Sequence, residues 1–118
     1  FGAHSSNENM TPIYHKRIMF FTWFNAGVRA LDVRDPYHPK EIGYYIPAMT
    51  KNTVMLATPA TQTGKVKPTE VSNKRAIQTN NVEVDDRGYI YIVDRANTGM
   101  HILQLTGAAR GIANWPKK

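Results

Sequence analysis

His4, Glu8 and Asn9, close to the start of the chain, are of the residue types that hold divalent cations. Imidazole nitrogens and carboxylate oxygens coordinate such ions, and carboxamide oxygens can complete the shell. None of the four histidines pairs with another at the i, i+4 or His-x-His spacing of a metal-binding helix or strand. The residue types of His4, Glu8 and Asn9 nevertheless predict a divalent metal site. The alternative is a polar loop that caps strand ends.

A second set of polar side chains belongs to the other half of the chain. Gln78, Asn80 and Asn81 stand where the second group of strands begins, and Asp94-Arg95 ends the strand YIYIVD. Amide, carboxylate and guanidinium groups donate and accept the hydrogen bonds that orient a ligand. We predict that these five residues bind a ligand, although Asp94-Arg95 could instead be a rim ion pair or a plain strand end.

Trp23 and Asn25 join the predicted ligand-binding set from the first half of the chain. Trp23 and Tyr45 could form a platform for a carbohydrate or another small molecule. The first interpretation of the aromatic side chains is nevertheless burial in the core of a blade-like sheet. It applies to Phe20, Phe21, Trp23, Phe24, Tyr44 and Tyr45.

Several kinds of chemistry are excluded by composition and motif. The chain has no cysteine, which excludes disulfides, thiolate metal sites and cysteine nucleophiles. No serine stands in a Gly-x-Ser-x-Gly context, and Gly64-Lys65 lacks the rest of a phosphate-binding loop. Asp85-Asp86 belongs to a turn, where consecutive side chains point apart. The catalytic residues, if any, stay unknown.

The charge of the chain argues against nucleic acid as a partner. The net charge is +6 and the pI is about 9.7, but the fifteen Lys and Arg residues are scattered. Nucleic-acid-binding proteins concentrate basic residues on one face or helix.

No apolar run reaches the roughly 20 residues that a transmembrane helix needs.

The residues that could do chemistry must be positioned by two groups of predicted strands. In residues 17–47, a dense β-favouring run leads into the Asn25-Ala26-Gly27 turn. Residues 28–33 then alternate apolar and polar side chains, which predicts a strand with one covered face. Pro36 and Pro39 interrupt hydrogen bonding before a further strand over 41–46.

The sequence of residues 76–105 predicts a similar group of strands. A strand over 76–84 leads into the hairpin turn 85–88, and the strand 89–94 follows. A turn at 95–99 then precedes the strand 100–105. On that last strand His101 is opposite in phase to Met100 and Ile102, which predicts that His101 faces solvent.

The remaining segments contain no convincing helix. Residues 1–16 predict a polar arm and residues 48–75 a long central loop or linker, because both are rich in turn-forming residues. Residues 106–118 predict a small polar tail that could form one helical turn. The expected fold is therefore all-β, with two strand-rich units, 17–47 and 76–105, joined by the central loop.

The two strand-rich units contain an internal repeat. A shift of 72 positions places residues 18–33 on 90–105 without a gap. The identical pairs are Ile18/Ile90, Asn25/Asn97, Gly27/Gly99 and Leu31/Leu103. Apolar character is kept at Phe20/Ile92, Phe21/Val93, Val28/Met100, Ala30/Ile102 and Val33/Leu105. The repeating unit is thus a strand, an Asn-x-Gly turn and a second strand.

This repeat resembles a blade of the LVIVD-repeat β-propeller family. Asp32, Pro36, Pro39 and the run Lys40-Glu41-Ile42-Gly43 match the link and outer strand of that family's blades, and residues 78–105 resemble its last blade. The resemblance covers about two-thirds of the chain. It implies antiparallel four-stranded blades, ligand sites at loop ends near the channel mouth, and an extracytoplasmic or secreted location.

The chain is too short to close a propeller by itself. A closed propeller has about 4–8 four-stranded blades, and this chain accounts for about two. Residues after Thr106 also lack the Pro-linked outer strand of the first unit. We expect either the C-terminal piece of a longer propeller or a chain that self-associates, because two isolated blades would expose strand edges and apolar faces.

Two functions are consistent with these patterns. The first is a binding or scaffolding module that presents a polar loop face to a small molecule, a carbohydrate or a protein partner. The second is a metal-assisted enzyme, such as a hydrolase, lactonase or oxidoreductase, with its site at the blade mouth. Propellers host both, so the fold alone does not decide.

Overall fold

Two antiparallel sheets carry the fold in the computed structural model, which describes residues 2–54 and 75–117. The elements are β1 (Ile18–Thr22), β2 (Val28–Asp32), β3 (Lys40–Tyr45), β4 (Thr79–Val84), β5 (Ile90–Asp94), β6 (Met100–Leu103) and the single-turn helix α1 (Gly107–Arg110). The sheet orders are β1-β2-β3 and β4-β5-β6. The predicted all-β antiparallel fold without a substantial helix is confirmed for these residues. None of their helices is long and apolar enough to cross a membrane.

The core lies between the two sheets. Along β1 the side chains of Ile18, Phe20 and Thr22 are at most 2% exposed, whereas the alternate residues are half-buried. This is the period-2 pattern of a strand with one face against a core. The first sheet contributes Ile18, Phe20, Val28 and Ala30 to one cluster, and the second contributes Val82, Val84, Ile90 and Ile92. Burial of each large side chain contributes about 1.5–3 kcal/mol.

The N-terminal segment runs beside β1 instead of extending away. The backbone N–H of His4 donates to the carbonyl of Thr22 at 2.9 Å, and the N–H of Thr22 donates to the carbonyl of Ser5 at 2.9 Å. Ser6 forms an antiparallel bridge with Phe21. Part of the predicted polar arm therefore lies next to β1 and brings His4 to the end of that strand.

Tyr14, Gly88 and Trp115 close the opposite end of the core. The Tyr14 hydroxyl donates to the Gly88 carbonyl at 2.5 Å, and the rings of Tyr14 and Trp115 meet edge to face at 6.2 Å. Gly88 has φ +85°, and a Cβ there would lie 2.5 Å from the Trp115 ring. Only glycine satisfies both the backbone and the space at this position. The tail after α1 is thus packed onto the connection between β4 and β5.

The predicted central loop, residues 48–75, lies mostly outside the described residues. Its described part, 48–54, contains neither a strand nor a helix. The N–H of Val54 donates to the carbonyl of Ala96 at 2.8 Å, and the hydroxyls of Thr53 and Thr98 lie 3.0 Å apart. The start of the segment is therefore held against the turn between β5 and β6.

The β1–β2 pair of the first sheet and the β5–β6 pair of the second sheet differ in register by one residue. Phe20 on β1 lies opposite Ala30 on β2, as both point into the core. The 72-residue repeat places Ile92 opposite Ile102, but Ile92 lies opposite His101. The hairpin of β5 and β6 is one residue shorter than that of β1 and β2, because Phe20 and Ala30 are ten positions apart whereas Ile92 and His101 are nine apart. A one-residue shift turns every side chain of a strand to the other face.

Two predictions for β6 are therefore wrong. The repeat matches Met100 and Ile102 to the buried Val28 and Ala30, yet Met100 is 60% and Ile102 57% exposed. His101, predicted to face solvent, is half-buried, and its Nδ1 atom is buried. Its ring lies 5.6 Å from that of Tyr45, at the end of β3.

Candidate functional site

Four segments of the chain meet where β1 ends and β4 begins. The N–H of Thr79 donates to the carbonyl of Phe24 at 3.0 Å, which joins the two sheets. The Asn80 carbonyl accepts from the Thr22 hydroxyl at 2.6 Å and lies 2.9 Å from Nδ1 of His4. The turn after β5 adds Arg95. We call the surface formed by His4, Phe24, Gln78, Asn80 and Arg95 the polar end.

Arg95 is held in place by two residues of the polar end. Its Nε donates to Oε1 of Gln78 at 2.7 Å, and its backbone N–H donates to the Gln78 carbonyl at 3.0 Å. Its guanidinium carbon lies 4.6 Å from the centre of the Phe24 ring. A guanidinium over an aromatic face is attracted by the ring quadrupole. The exposed Arg95 side chain is thus fixed before any ligand arrives.

Phe24 connects the side chains of His4 and Arg95. Its ring centre is 4.8 Å from that of His4, and Arg95 contacts the same ring. Phe24 has φ +43°, an uncommon conformation for a bulky residue, which typically costs about 1–3 kcal/mol. Sequence reasoning assigned Phe24 to the core and missed it here. The only signal was its position directly before the Asn25 turn.

The hydrogen bond of His4 determines which of its ring nitrogens carries the proton. Nδ1 lies 2.9 Å from the Asn80 carbonyl, and a carbonyl oxygen only accepts hydrogen bonds. Nδ1 is therefore the donor. Nε2 then accepts in the neutral ring and donates in the protonated ring. Because His4 is exposed, Nε2 can meet a ligand from solvent.

Asp94 holds the polar end together from inside. It is 8% exposed, and its carboxylate accepts from the backbone N–H groups of Ala96 at 2.6 Å and Thr98 at 3.2 Å. It also accepts from the N–H of Gln78. A carboxylate that accepts several amide hydrogen bonds is well stabilised despite burial. Asp94 therefore ties the start of β4 to the turn after β5, and its predicted contact with a ligand stays a prediction.

The first sheet repeats this contact with a different side chain. Thr22 stands 72 positions before Asp94, and its Oγ1 accepts from the N–H of Ser5 at 3.1 Å. In each sheet, the last residue of one strand accepts a hydrogen bond from a backbone N–H of the neighbouring segment. Thr22 of β1 accepts from Ser5, and Asp94 of β5 accepts from Gln78. The polar end thus has two equivalent internal supports.

The remaining predicted ligand-binding residues lie near the polar end. The N–H of Trp23 donates to the Gly27 carbonyl at 2.8 Å and closes the turn that contains the exposed Asn25. Asn81 is exposed on β4 and accepts a hydrogen bond from the side-chain amide of Asn80. The structure therefore brings most of the predicted set to one end of the two sheets.

The predicted metal ligands are spread along β4. His4 contacts Asn80, whereas the side chain of Asn9 donates to the carbonyl of Val84 at 2.8 Å. Four residues of strand separate these contacts, a span of roughly 13 Å. The N–H groups of Glu8 and Asn9 donate to the Glu83 carboxylate at 3.3 and 3.0 Å.

No group of three or more His, Asp or Glu side chains in residues 2–54 and 75–117 could hold a metal ion. The metal site from His4, Glu8 and Asn9 stays a prediction.

A groove of about 310 Å³ lies between the two sheets on the side of β3 and β6. Most of its lining is apolar and includes Val28, Ile42, Leu103, Leu105 and Ala109. Tyr44, Tyr45, Gln104 and Thr106 also line it. No residue of the polar end belongs to this groove.

Comparison of the chain with protein-family models, with curated proteins and with solved structures finds no match. The resemblance to the LVIVD-repeat family stays a prediction, and the function must be argued from the geometry of this chain.

Proposed function

We propose that the chain is a binding module of β-propeller type, and that the polar end contacts its ligand or protein partner. The observation that carries this proposal is the meeting of four segments at His4, Phe24, Gln78, Asn80 and Arg95. Short polar side chains that converge from separate strands orient a ligand without large rearrangement. The buried Asp94 carboxylate and Thr22 hydroxyl support them from behind.

We further propose that each sheet is one blade. In the first unit, residues 4–7 would be the innermost of four strands, since they hydrogen-bond along β1. The matching contacts of Thr22 with Ser5 and of Asp94 with Gln78 support the equivalence of this segment with the start of β4. The second unit would be a blade that lacks its outer strand.

A neighbouring blade-like sheet is the proposed partner of the second unit. β6 pairs only with β5 among the described strands, and Val93, Met100 and Ile102 are 44%, 60% and 57% exposed. An unpaired strand edge beside exposed apolar side chains favours association with another sheet. That sheet would come from a second copy of the chain or from further blades of a longer propeller.

Measurement of solution mass tests the neighbouring sheet. We expect the isolated chain to self-associate with rising concentration, and Met100→Lys with Ile102→Lys to reduce this association. Tyr37→Lys is the matched control, because Tyr37 is 88% exposed but lies in the loop before β3. A chain that is monomeric across the micromolar range would contradict the proposed contact.

Mapping of bound ligands tests the polar end. We would titrate the ¹⁵N-labelled chain with glucose, succinate, inorganic phosphate and Ca²⁺ and follow the backbone amide shifts. The proposal expects at least one probe to shift amides near Asn80 and Arg95, and Gln78→Ala to weaken the effect. His38→Ala is the control, since His38 is exposed in the loop before β3. If every responsive amide lies elsewhere, the polar end is not the binding surface.

The alternative, a metal-assisted enzyme, stays a prediction, since no group of ligating side chains in the described residues favours it. Metal analysis of the purified chain, with and without His4→Ala and Glu8→Ala, would distinguish the two functions.

A further inference from the structure

We propose that the polar end binds an anionic ligand through a carboxylate group, with Arg95 as the main contact and His4 as the second. This inference rests on the proposed function and names the ligand class of the same site.

Arg95 differs in its partners from three other arginines of the chain. Three arginines each pair with a carboxylate, namely Arg29 with Glu41, Arg34 with Asp32 and Arg87 with Asp85. The ion pairs among the described residues do not include Arg95, which is held by the neutral amide of Gln78 and the ring of Phe24. Its guanidinium is therefore positioned without an ion pair among the described residues.

Asp94, the carboxylate next to Arg95 in the sequence, forms no ion pair with it among the described residues. Asp94 precedes Arg95, but its oxygens accept backbone N–H groups of Gln78, Ala96 and Thr98. Those amide dipoles stabilise the negative charge of Asp94 inside the turn. The outward side of Arg95 therefore remains attractive to an external anion.

His4 supplies a second donor in its protonated form. Its Nδ1 is already engaged by the Asn80 carbonyl, and the ring contacts Phe24. Nε2 of the protonated ring can donate to an oxyanion that Arg95 also contacts. The planar guanidinium matches the two oxygens of a carboxylate, which a lysine at the same position would not do.

The Gln78 and Phe24 contacts reduce the cost of binding. A long side chain that is already ordered loses less conformational entropy when a ligand arrives. Nε of Arg95 is used internally, so the terminal nitrogens are the ones that face the ligand. The net charge of +6 adds a general attraction for anions that salt screens.

Titration with succinate and with its neutral analogue succinamide tests the inference at low ionic strength. We expect succinate to shift the amides of Asn80 and Arg95, and succinamide to bind at least about tenfold more weakly. Arg95→Gln should weaken succinate binding by about tenfold or more, and Arg95→Lys should restore it only partly. Arg34→Gln is the matched control, because this exposed arginine lies in another loop.

The outcomes separate this inference from the proposed function. Equal binding of succinamide, or succinate binding that Arg95→Gln leaves unchanged, would overturn the carboxylate site. If glucose or Ca²⁺ shifts the amides of the polar end and succinate does not, the carboxylate site is overturned as well. The proposal of a binding module would then remain supported. Stronger binding of inorganic phosphate than of succinate would assign the site to phosphoryl groups instead. No shift at the polar end with any probe would overturn both proposals.

Discussion

Gly27 and Gly99 close equivalent turns in the two sheets, yet their surroundings differ. Both have positive φ, +72° and +111°, a region that favours glycine. A Cβ on Gly27 would lie 2.1 Å from the carbonyl oxygen of Tyr45, because β3 passes over this turn. A Cβ on Gly99 would meet no described atom within 4 Å. The backbone requirement is repeated, whereas the packing is not.

The difference follows from the outer strand. β2 is covered on its outer side by β3, but β6 has no such neighbour among the described residues. Residues 52–54 contact the turn before Gly99 instead. A repeat in sequence therefore conserves the local turn chemistry, while each copy acquires its own tertiary contacts.

Substitution of the two glycines gives the largest expected contrast. Gly27→Ala combines strain with a backbone clash and should destabilise the fold by about 3–5 kcal/mol. Gly99→Ala meets only the strain and should cost about 1–3 kcal/mol. Urea unfolding measures both. Equal losses would mean that β3 does not cover Gly27 in solution.

Removal of the two internal supports comes next. Asp94→Ala leaves three backbone N–H groups without their acceptor and should cost about 3 kcal/mol. Thr22→Val removes one hydroxyl and should cost about 1–2 kcal/mol. The same unfolding measurement checks the order, and Asp94→Asn should lie between Asp94→Ala and the unchanged chain. A larger loss for Thr22→Val would contradict the support assigned to Asp94.

His101→Leu tests the register of β6. Its buried Nδ1 has no hydrogen-bond partner in the described part of the chain, so an apolar side chain should stabilise the fold by about 1 kcal/mol. Ile102→Thr on the exposed face should change stability by less than about 0.5 kcal/mol. If the thermal midpoint of His101→Leu falls and that of Ile102→Thr falls further, the opposite register would be indicated.

Two groups at the end of the core near Gly88, Asp85 and Tyr14, should lose their contributions to stability at opposite ends of the pH scale, which is the smallest expected effect. At Asp85, desolvation acts to raise the pKa, but hydrogen bonds from Arg87, Tyr89 and Tyr91 dominate and lower it from 3.8 to about 2. The unfolded state then binds more protons in this range, so Asp85 stabilises the fold above pH 3.8, and this stability is lost as the pH falls towards 2.

Burial raises the pKa of Tyr14 from 10.0 to about 12, while the nearby Arg110 acts to lower it. Here the folded state retains its proton longer, so stability is lost as the pH rises from 10 towards 12. Asp85→Asn should flatten the acid limb of a stability–pH profile, and Tyr14→Phe the alkaline limb. A variant that alters the other limb would contradict the assignment.

Prediction from sequence succeeded where the determining interactions are local. The Asn25-Ala26-Gly27 turn and the hairpin turn at 85–88 each connect two strands of the structure, and the alternating residues 28–33 contain β2. Gln78 and Arg95 were both selected for their polar chemistry at strand ends, and they hydrogen-bond to each other, whereas their ligand binding stays a prediction. Phe24 was missed because its local sequence resembles a buried strand.

The amino-acid sequence alone determined that the chain is all-β, because alternation and turn-forming residues act over only a few positions. The tertiary structure decided that His101 faces inward and Ile102 outward, since the β5–β6 hairpin is one residue shorter than the β1–β2 hairpin and this shifts the pairing of β6. It also decided that His4 and Arg95 share the Phe24 ring. Such contacts depend on hydrogen bonds between residues more than 70 positions apart, which no local pattern encodes.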